Sequence, residues 1–298
     1  MKHLLGLDIG GTHIAGALVE EVSAHQAHSY RSMPVDAGGQ ADEVIRSWAN
    51  GIKAITAAIA WKDLAAIGIA MPGPFDYANG ISLIRGLEKY ESLYRVNVKS
   101  ALRTALGVSP TFPIGFSNDA ICFALGEQWK GAAVGYHRVV AVTLGTGLGA
   151  AFLQAGRPVV DGKNVPADGV LYPVPYKGGK AEDYFSERGL LRAYASKKGE
   201  QLQKGKVVYQ RACGGEPEAL AVWATFGRSF AQFLVPWLRL FRADGLVLGG
   251  GISKAGPFFI QAMKQVLAQQ RVTTAILQSE LGNYAAIWGA IRSMKEHG

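Results

Sequence analysis

Asp8 stands where a carboxylate could take part in phosphate chemistry. It closes the apolar run that begins at Leu4, and Gly10, Gly11 and Thr12 follow it. Glycines that adopt positive φ let the N–H groups of such a turn approach phosphate oxygens closely, and the Thr12 hydroxyl adds a donor. Because carboxylates and phosphates are both anions, we expect a hydrated Mg²⁺ ion between Asp8 and the phosphate. A plain β-hairpin with a glycine turn fits the same residues equally well.

Two later segments carry similar chemistry. Residues 143–149 read Thr-Leu-Gly-Thr-Gly-Leu-Gly and supply two hydroxyls with three glycines. Residues 249–251 are three glycines after a β-rich stretch, and bare backbone there would let a flat adenine or a phosphate lie against the chain. In this order, the three segments predict a nucleotide site. The candidate residues in the two later segments are Thr143, Gly145, Thr146, Gly147, Gly249, Gly250 and Gly251.

Asn118 and Asp119 could serve a second reactant. A carboxylate beside an alcohol can orient it and accept its proton while a phosphoryl group is transferred. The amide of Asn118 could hydrogen-bond neighbouring hydroxyls. The same two residue types also suit the start of a helix over 120–129, and the two roles are compatible.

A repeated pattern of strands and helices must position these residues. The first twenty residues read strand, glycine turn, strand, and residues 139–153 repeat that unit, which suggests a duplicated fold. Strands that alternate with helices predict an α/β fold. Helices are predicted over 41–61, 98–106, 120–129, 181–197, 217–241, 258–269 and 285–296, and further strands over 65–70 and 245–248.

Composition limits the class of protein. The chain has 298 residues, 49% apolar and 18% charged, which is an ordinary globular balance. The net charge of +8 suits an anionic partner such as a nucleotide, but the basic residues are scattered, so we expect no specific nucleic-acid binding. Cys122 and Cys213 have no paired spacing that would indicate a disulfide framework or a zinc site. The start of the chain does not read as a signal peptide and no run of about 18 apolar residues occurs, so the cytoplasm is expected and a membrane span is not.

The motifs together resemble the ROK family (repressor, open reading frame, kinase) of the actin, Hsp70 and hexokinase superfamily. The resemblance runs from about Leu5 to Met294. It is carried by Asp8–Thr12, the glycine-proline strand end at 68–74, the Asn-Asp-Ala of 118–120, residues 124–127, the loops at 143–149 and 249–251, and the closing Leu-Gly and Gly-Ala pairs at 281–282 and 289–290.

This resemblance implies an ATP-dependent hexose kinase, glucokinase-like, that gives a hexose 6-phosphate with ATP and Mg²⁺ as cofactors. The implied architecture is two ribonuclease-H-like domains of the actin-like ATPase type with a central cleft. We expect residues 1–117 with 285–298 in one domain and 118–284 in the other, and a homodimer. Asp119 would be the catalytic base, while Asn118 and Gly73 would contact the sugar.

The sequence departs from the family at the sugar motifs. The usual Gly-Glu-x-Gly-His is replaced by Pro-Ala-Asp-Gly-Val-Leu-Tyr at 166–172, where Asp168 is the candidate acidic ligand. The cysteines of the family's zinc loop are absent, so we predict no structural zinc. The loop's final glutamate corresponds to Glu182, which is a candidate sugar ligand or equally an acid in the first turn of a helix.

A third departure lies after the glycine-proline strand. The family's Asn-Leu becomes Gly86-Leu87, and the polar and aromatic side chains nearby could face a sugar or belong to an ordinary surface loop. They are Arg85, Glu88, Lys89 and Tyr90. These departures leave the hexose open.

Three alternatives remain. Family repressors carry a helix-turn-helix domain before the first phosphate loop, and a loop that starts at residue 8 leaves no room for one. A sugar-sensing regulator or pseudokinase would fit the altered sugar motif, although both acidic residues and the phosphate loops argue for turnover. A kinase that also uses polyphosphate is compatible with the basic charge.

Overall fold

The computed structural model describes residues 2–21, 27–87 and 89–296. The strands are β1 (His3–Ile9), β2 (His13–Glu20), β3 (Ala27–Pro34), β4 (Leu64–Met71), β5 (Phe75–Asp76), β6 (Ile81–Ser82), β7 (Ile114–Asn118), β8 (Arg138–Leu144), β9 (Leu148–Gln154), β10 (Arg157–Pro158), β11 (Pro175–Tyr176), β12 (Gly179–Lys180), β13 (Gly245–Gly249) and β14 (Ala275–Gln278). The helices are α1 (Ala41–Ile55), α2 (Val98–Leu106), α3 (Asp119–Lys130), α4 (Ala181–Tyr184), α5 (Glu187–Lys198), α6 (Gly205–Cys213), α7 (Pro217–Phe241), α8 (Gly256–Gln269) and α9 (Ala285–Glu296).

The chain divides into two compact units. Unit 1 takes the described residues up to Trp129 and from Asn283 onward, and unit 2 is the continuous stretch Lys130–Gly282. The expected boundary at 117/118 lies before α3, whereas the observed division lies at the end of α3. The reason is that α3 packs on α9: a Cβ on Gly126 of α3 would meet the Ala285 carbonyl of α9 at 1.9 Å, so α3 stays with unit 1.

The two units contain sheets of the same plan. The sheet of unit 1 has the order β3-β2-β1-β4-β7 and that of unit 2 has the order β10-β9-β8-β13-β14. In each sheet the first three strands are antiparallel and the last three, counting the shared central strand, are parallel. The predicted duplication of a strand-turn-strand unit is therefore confirmed.

In unit 1, parallel pairing brings three strand ends to one edge of the sheet. Asp8 on β1 pairs with Ala70 on β4, and Ala70 pairs with Ser117 on β7. The carboxyl ends of parallel strands meet at one edge, so the chain positions that follow β1 and β7 become neighbours. This register places Asn118 on the same edge as Asp8.

A row of glycines lets α9 lie close to this sheet. Gly6, Gly68 and Gly115 are register neighbours on β1, β4 and β7. A Cβ on Gly6 would lie 2.5 Å from the Ile287 carbonyl oxygen, and one on Gly68 would lie 2.3 Å from that of Ala290. The row therefore forms a shallow track that only glycine permits, and α9 packs on the sheet of unit 1 along it.

The opposite face of this sheet is covered by α1. The apolar positions of its helical pattern are buried, and Trp48 is fully buried. The helix ends at Ile55, earlier than predicted, and short 3₁₀ turns complete the path to β4. The predicted helix at 98–106 is confirmed as α2, whose first turn is capped by Asn97 Oδ1 accepting from Ser100 N at 2.9 Å.

In unit 2, the helices differ from the sequence prediction in two places. The predicted helix over 181–197 is two helices, α4 and α5, because Phe185 leaves the helical path and inserts its ring among those of Phe230 and Phe233. Helix α6 was not predicted. Helix α7 spans Pro217–Phe241, as predicted, with Pro236 inside it. Among the described residues, no helix has the length and apolar character needed to cross a membrane.

Candidate active site

Two carboxylates lie together at the sheet edge of unit 1. Asp8 comes from the end of β1, and Asp119 is the first residue of α3, directly after β7. Burial raises the pKa of Asp8 to about 7, and repulsion from Asp119 adds to the shift. Burial also raises the pKa of Asp119. The structure brings these two residues to one edge of the sheet, and a carboxyl with a raised pKa is a stronger proton acceptor near neutral pH.

Asn118 fixes the start of α3. Its Oδ1 accepts from the backbone N–H groups of Ala120 at 3.0 Å and Ile121 at 3.2 Å, which is the capping role foreseen for it. Its Nδ2 donates to the Tyr77 hydroxyl at 3.2 Å. The amide oxygen is thus occupied by the helix, and Nδ2 is the atom of Asn118 that can change partner.

Tyr77 is a site residue that the sequence analysis missed. Its hydroxyl donates to the Met71 carbonyl at 3.1 Å while it accepts from Asn118, so it joins the end of β4 to the start of α3. Burial raises its pKa, which keeps the phenol protonated. Gly73 lies beside it, since a Cβ there would stand 3.2 Å from the hydroxyl oxygen. The sequence signal that could have indicated Tyr77 is its position shortly after the glycine-proline end of β4.

The first predicted phosphate loop, residues 8–12 (loop 1), is a tight turn. Gly10 N donates to His13 O at 3.0 Å, and Thr12 Oγ1 lies 3.2 Å from His13 Nδ1. Neither Gly10 nor Gly11 has positive φ, so the turn does not use that freedom of glycine. Glycine leaves room for the His13 ring, since a Cβ on Gly10 would stand 3.3 Å from it.

The segment after β6 approaches loop 1 through two residues. The Tyr90 hydroxyl donates to Gly10 O at 2.5 Å, and Lys89 Cδ lies 3.4 Å from where a Cβ on Gly11 would stand. Arg85 is exposed and lies over the Tyr94 ring at 5.4 Å. Glu88, the fourth side chain named for this segment, lies outside the described residues.

The second predicted phosphate loop, residues 143–149 (loop 2), lies in unit 2 and joins β8 to β9. It is closed by Gly145 N donating to Gly147 O at 3.1 Å. Thr143 is partly buried and Thr146 is exposed. Neither Gly145 nor Gly147 has positive φ. A Cβ on Gly145 would meet none of the described atoms within 4 Å, so its backbone is open to a ligand.

Glu182 reaches loop 2 from α4. Its Oε2 accepts from Leu148 N at 3.1 Å and would be 2.7 Å from a Cβ on Gly147. Glycine at 147 therefore makes room for the carboxylate. Glu182 is a residue of the first turn of α4, as the alternative interpretation proposed. Its role as a sugar ligand stays a prediction.

The third loop, 249–253 (loop 3), packs on loop 2. Gly249 on β13 pairs with Thr143 on β8, and a Cβ on Gly250 would stand 2.4 Å from the Leu144 carbonyl oxygen. Gly250 has φ of 82°, a conformation that favours glycine. Gly250 and Gly251 are exposed, so their backbone is accessible. The structure thus brings the predicted residues of loops 2 and 3 together within unit 2.

Asp168 lies in a short 3₁₀ turn, Ala167–Gly169, and is exposed. The chain after it returns to α4, where Glu182 N donates to Tyr172 O at 3.2 Å. The described residues contain no group of three His, Cys, Asp or Glu side chains arranged to hold a metal ion. The absence of a structural zinc ion stays a prediction.

A sequence model of the ROK family matches residues 4–297. The chain belongs to the ROK family. This confirms the resemblance that the phosphate loops and the Asn-Asp-Ala segment indicated.

Individual relatives of this ROK protein are sugar kinases. A glucokinase of Thermotoga maritima is 26% identical over 309 aligned positions, which cover 95% of this chain and 91% of the relative. A β-glucoside kinase of Klebsiella pneumoniae is 27% identical and covers 76% of each chain. The crystal structure of a ROK family glucokinase from Streptomyces griseus, in complex with glucose and AMPPNP, superimposes with a TM-score of 0.78 at 22% identity over 99% of both chains. The predicted α/β fold with two actin-like ATPase parts is therefore confirmed.

Proposed function

We propose that this ROK protein is an ATP-dependent hexose kinase that transfers the γ-phosphoryl group of ATP to the 6-hydroxyl of a sugar. The observation that carries the proposal is the pairing of Asp8 and Asp119 beside loop 1, at one edge of the sheet of unit 1. A base and a phosphate-binding turn at the same edge are what transfer to an alcohol requires.

Asp119 is the proposed catalytic base. As the bond between the γ-phosphorus and its bridging oxygen breaks, the sugar oxygen bonds to phosphorus, and the hydroxyl proton moves to the Asp119 carboxylate. Backbone N–H groups in the first turn of α3 donate hydrogen bonds to Asp119 Oδ1 and Asn118 Oδ1, which holds both side chains in place. Such fixed geometry lowers the entropy cost of aligning the reactants.

Two neighbouring carboxylates with raised pKa values are a donor set that suits a hard divalent cation. Asp8 would hold Mg²⁺ through a bound water. When bound, the ion would neutralise charge on the phosphates of ATP.

The remaining candidates divide between nucleotide and sugar. Loops 2 and 3 offer accessible backbone for the nucleotide, and their close packing at Thr143 and Gly249 supports a single site. We assign the Asn118 amide and Gly73 to the sugar, because both lie beside the Tyr77 hydroxyl in unit 1. Glu182 is retained as a sugar contact from the resemblance to the family's glutamate. Asp168 is retained as a sugar contact from its place in the altered motif.

The test is ADP release with Mg-ATP against glucose, fructose, mannose, allose, N-acetylglucosamine and N-acetylmannosamine. We expect turnover with at least one sugar, and a loss of roughly 10²-fold or more in kcat for Asp119→Asn because the base is removed. Asp63→Asn is the matched control, since Asp63 precedes β4 at the opposite edge of the same sheet. Wild-type turnover in Asp119→Asn would exclude Asp119 as the base.

A sugar-sensing protein without turnover is the second candidate, favoured by the missing Glu-x-Gly-His segment. Sugar binding by calorimetry together with no ADP release from any sugar would establish it. Replacing ATP by polyphosphate in the same assay tests the third possibility. Homodimer formation, which the resemblance implies, is tested by light scattering after gel filtration.

A further inference from the structure

The segment that follows β6 is fixed to loop 1 by Tyr90. This side chain is fully buried, its hydroxyl donates to Gly10 O at 2.5 Å, and its ring meets that of Trp48 edge-on at 5.1 Å. Its backbone N–H donates to Ala37 O at 2.7 Å. Tyr90 has φ of 55°, so the chain turns sharply there. The preceding residue, Lys89, is thereby held at a defined place.

Lys89 lies over loop 1. Its Cδ atom is 3.4 Å from the position of a Cβ on Gly11, so the side chain lies in the space beside Gly11. The side chain is partly buried. From Cδ, the ammonium group is two bonds away, which is within reach of a phosphate seated on the loop.

The charge of Lys89 also acts on the proposed base. Burial raises the pKa of Asp119, and the Lys89 ammonium opposes that shift. The cation therefore stands close enough to influence both loop 1 and Asp119. The other two cations of the segment are engaged elsewhere, since Arg85 and Arg95 each lie 5.4 Å from the Tyr94 ring centre.

We propose that Lys89 is a catalytic residue whose ammonium group binds the phosphoryl group during its transfer from ATP, with Tyr90 as its positioning residue. This inference rests on the kinase function proposed above. In the transfer, the bond from γ-phosphorus to ADP breaks, the bond to the sugar oxygen forms, and Asp119 takes the proton. Lys89 keeps its proton and stabilises the charge on the equatorial oxygens of the phosphoryl group.

The experiment compares Lys89→Met, which keeps the stem and removes the charge, with Lys89→Arg, which keeps a charge. We expect kcat of Lys89→Met to fall about 30-fold or more, while KM for the sugar changes less than about threefold. Lys89→Arg should recover part of the loss. Lys62→Met is the control, because Lys62 is an exposed lysine at the opposite edge of the same sheet. A kcat of Lys89→Met within about threefold of wild type overturns the proposal.

The pH profile separates a phosphate contact from an effect through Asp119. If Lys89 only lowers the pKa of Asp119, removing it moves the acid limb of the profile to higher pH and activity returns above that limb. We expect instead a deficit in kcat that persists to pH 9. Full recovery at high pH overturns the phosphate contact.

A binding measurement tests Lys89 even when no sugar of the panel is phosphorylated. Calorimetry with Mg-AMPPNP and Mg-ADP gives the preference for a third phosphate. We expect wild type to prefer AMPPNP and Lys89→Met to lose at least about fivefold of that preference, whereas Lys62→Met keeps it. An equal preference in wild type and Lys89→Met overturns the inference, and absence of turnover in wild type counts against the kinase function alone.

Discussion

At the scale of single residues, the molecule holds two carboxylates where burial disfavours their charge. Asp8 and Asp119 lie at one sheet edge, and the pKa of each is raised. A group whose pKa is raised on folding takes up a proton more readily in the folded state. Ionisation of Asp8 therefore opposes folding in the protein without ligands, and a bound cation would remove that opposition.

Replacing Asp8 tests this directly. Its pKa rises from 3.8 to about 7, so the folded protein loses stability as pH rises through that interval, and the loss is complete above pH 7. We expect Asp8→Asn to raise the Tm without ligands by several degrees at pH 8 and by almost nothing near pH 4, since the shift corresponds to at most ~4 kcal/mol. Scanning calorimetry at both pH values measures it. A Tm gain of equal size at pH 4 and pH 8 would contradict the argument.

Asp8, Asp119 and the three loops could be named as candidates from the sequence because each lies within a short stretch of strand and turn. Tyr77 was not predicted, and Tyr90 was named only as a side chain that could face a sugar, because the hydrogen-bond partners of both lie far away in the sequence. Tyr77 touches Asn118, which is 41 positions away, and Tyr90 touches Gly10, which is 80 away. The hydroxyls act only once the β5–β6 hairpin and the following turn have folded back, and that path is set by packing.

At the scale of elements, α3 positions Asp119 and α9 positions α3. The two helices cross at small residues that face each other: Gly126 meets Ala285, and Gly289 meets the Cys122 carbonyl. The predicted helices at 120–129 and 285–296 were confirmed, but their close approach was not foreseen. The close approach follows from contacts between residues far apart in the chain, each with a glycine on one side. The helical periodicity of one segment carries no information about such contacts.

Gly289→Ala should weaken this crossing. The new Cβ would stand 1.7 Å from the Cys122 carbonyl oxygen, so α9 must move away from α3. We expect a loss of about 1–3 kcal/mol in the free energy of unfolding, measured by urea denaturation. Gly38→Ala is the control, because Gly38 is exposed and the nearest described atom to its Cβ is 3.4 Å away. Equal stability of Gly289→Ala and wild type would show that the helices separate at no cost.

At the scale of the whole molecule, the division into units follows the packing of α9. Unit 2 is one continuous stretch, Lys130–Gly282, while unit 1 needs α9 from the end of the chain. The boundary between the units follows α3 because α3 packs on α9, whereas the sequence pattern places a boundary before α3.

The division predicts how fragments behave. A chain of residues 130–282 should unfold in one cooperative transition, because the core cluster of its sheet, α7 and α8 lies within it. A chain of residues 1–129 should lack a cooperative transition, and should regain one when residues 283–296 are joined to it by a flexible linker. Circular dichroism during thermal denaturation measures each case. Cooperative unfolding of 1–129 alone would show that α9 is dispensable.

The glycine track on β1, β4 and β7 has a consequence for synthesis. A ribosome releases the first sheet long before it makes the helix that covers this track, and all of unit 2 is made in between. The nascent protein therefore carries an open apolar face through most of its translation, while unit 2 can complete its core as soon as it emerges. We expect chaperones to bind unit 1 of the growing chain until α9 covers its sheet.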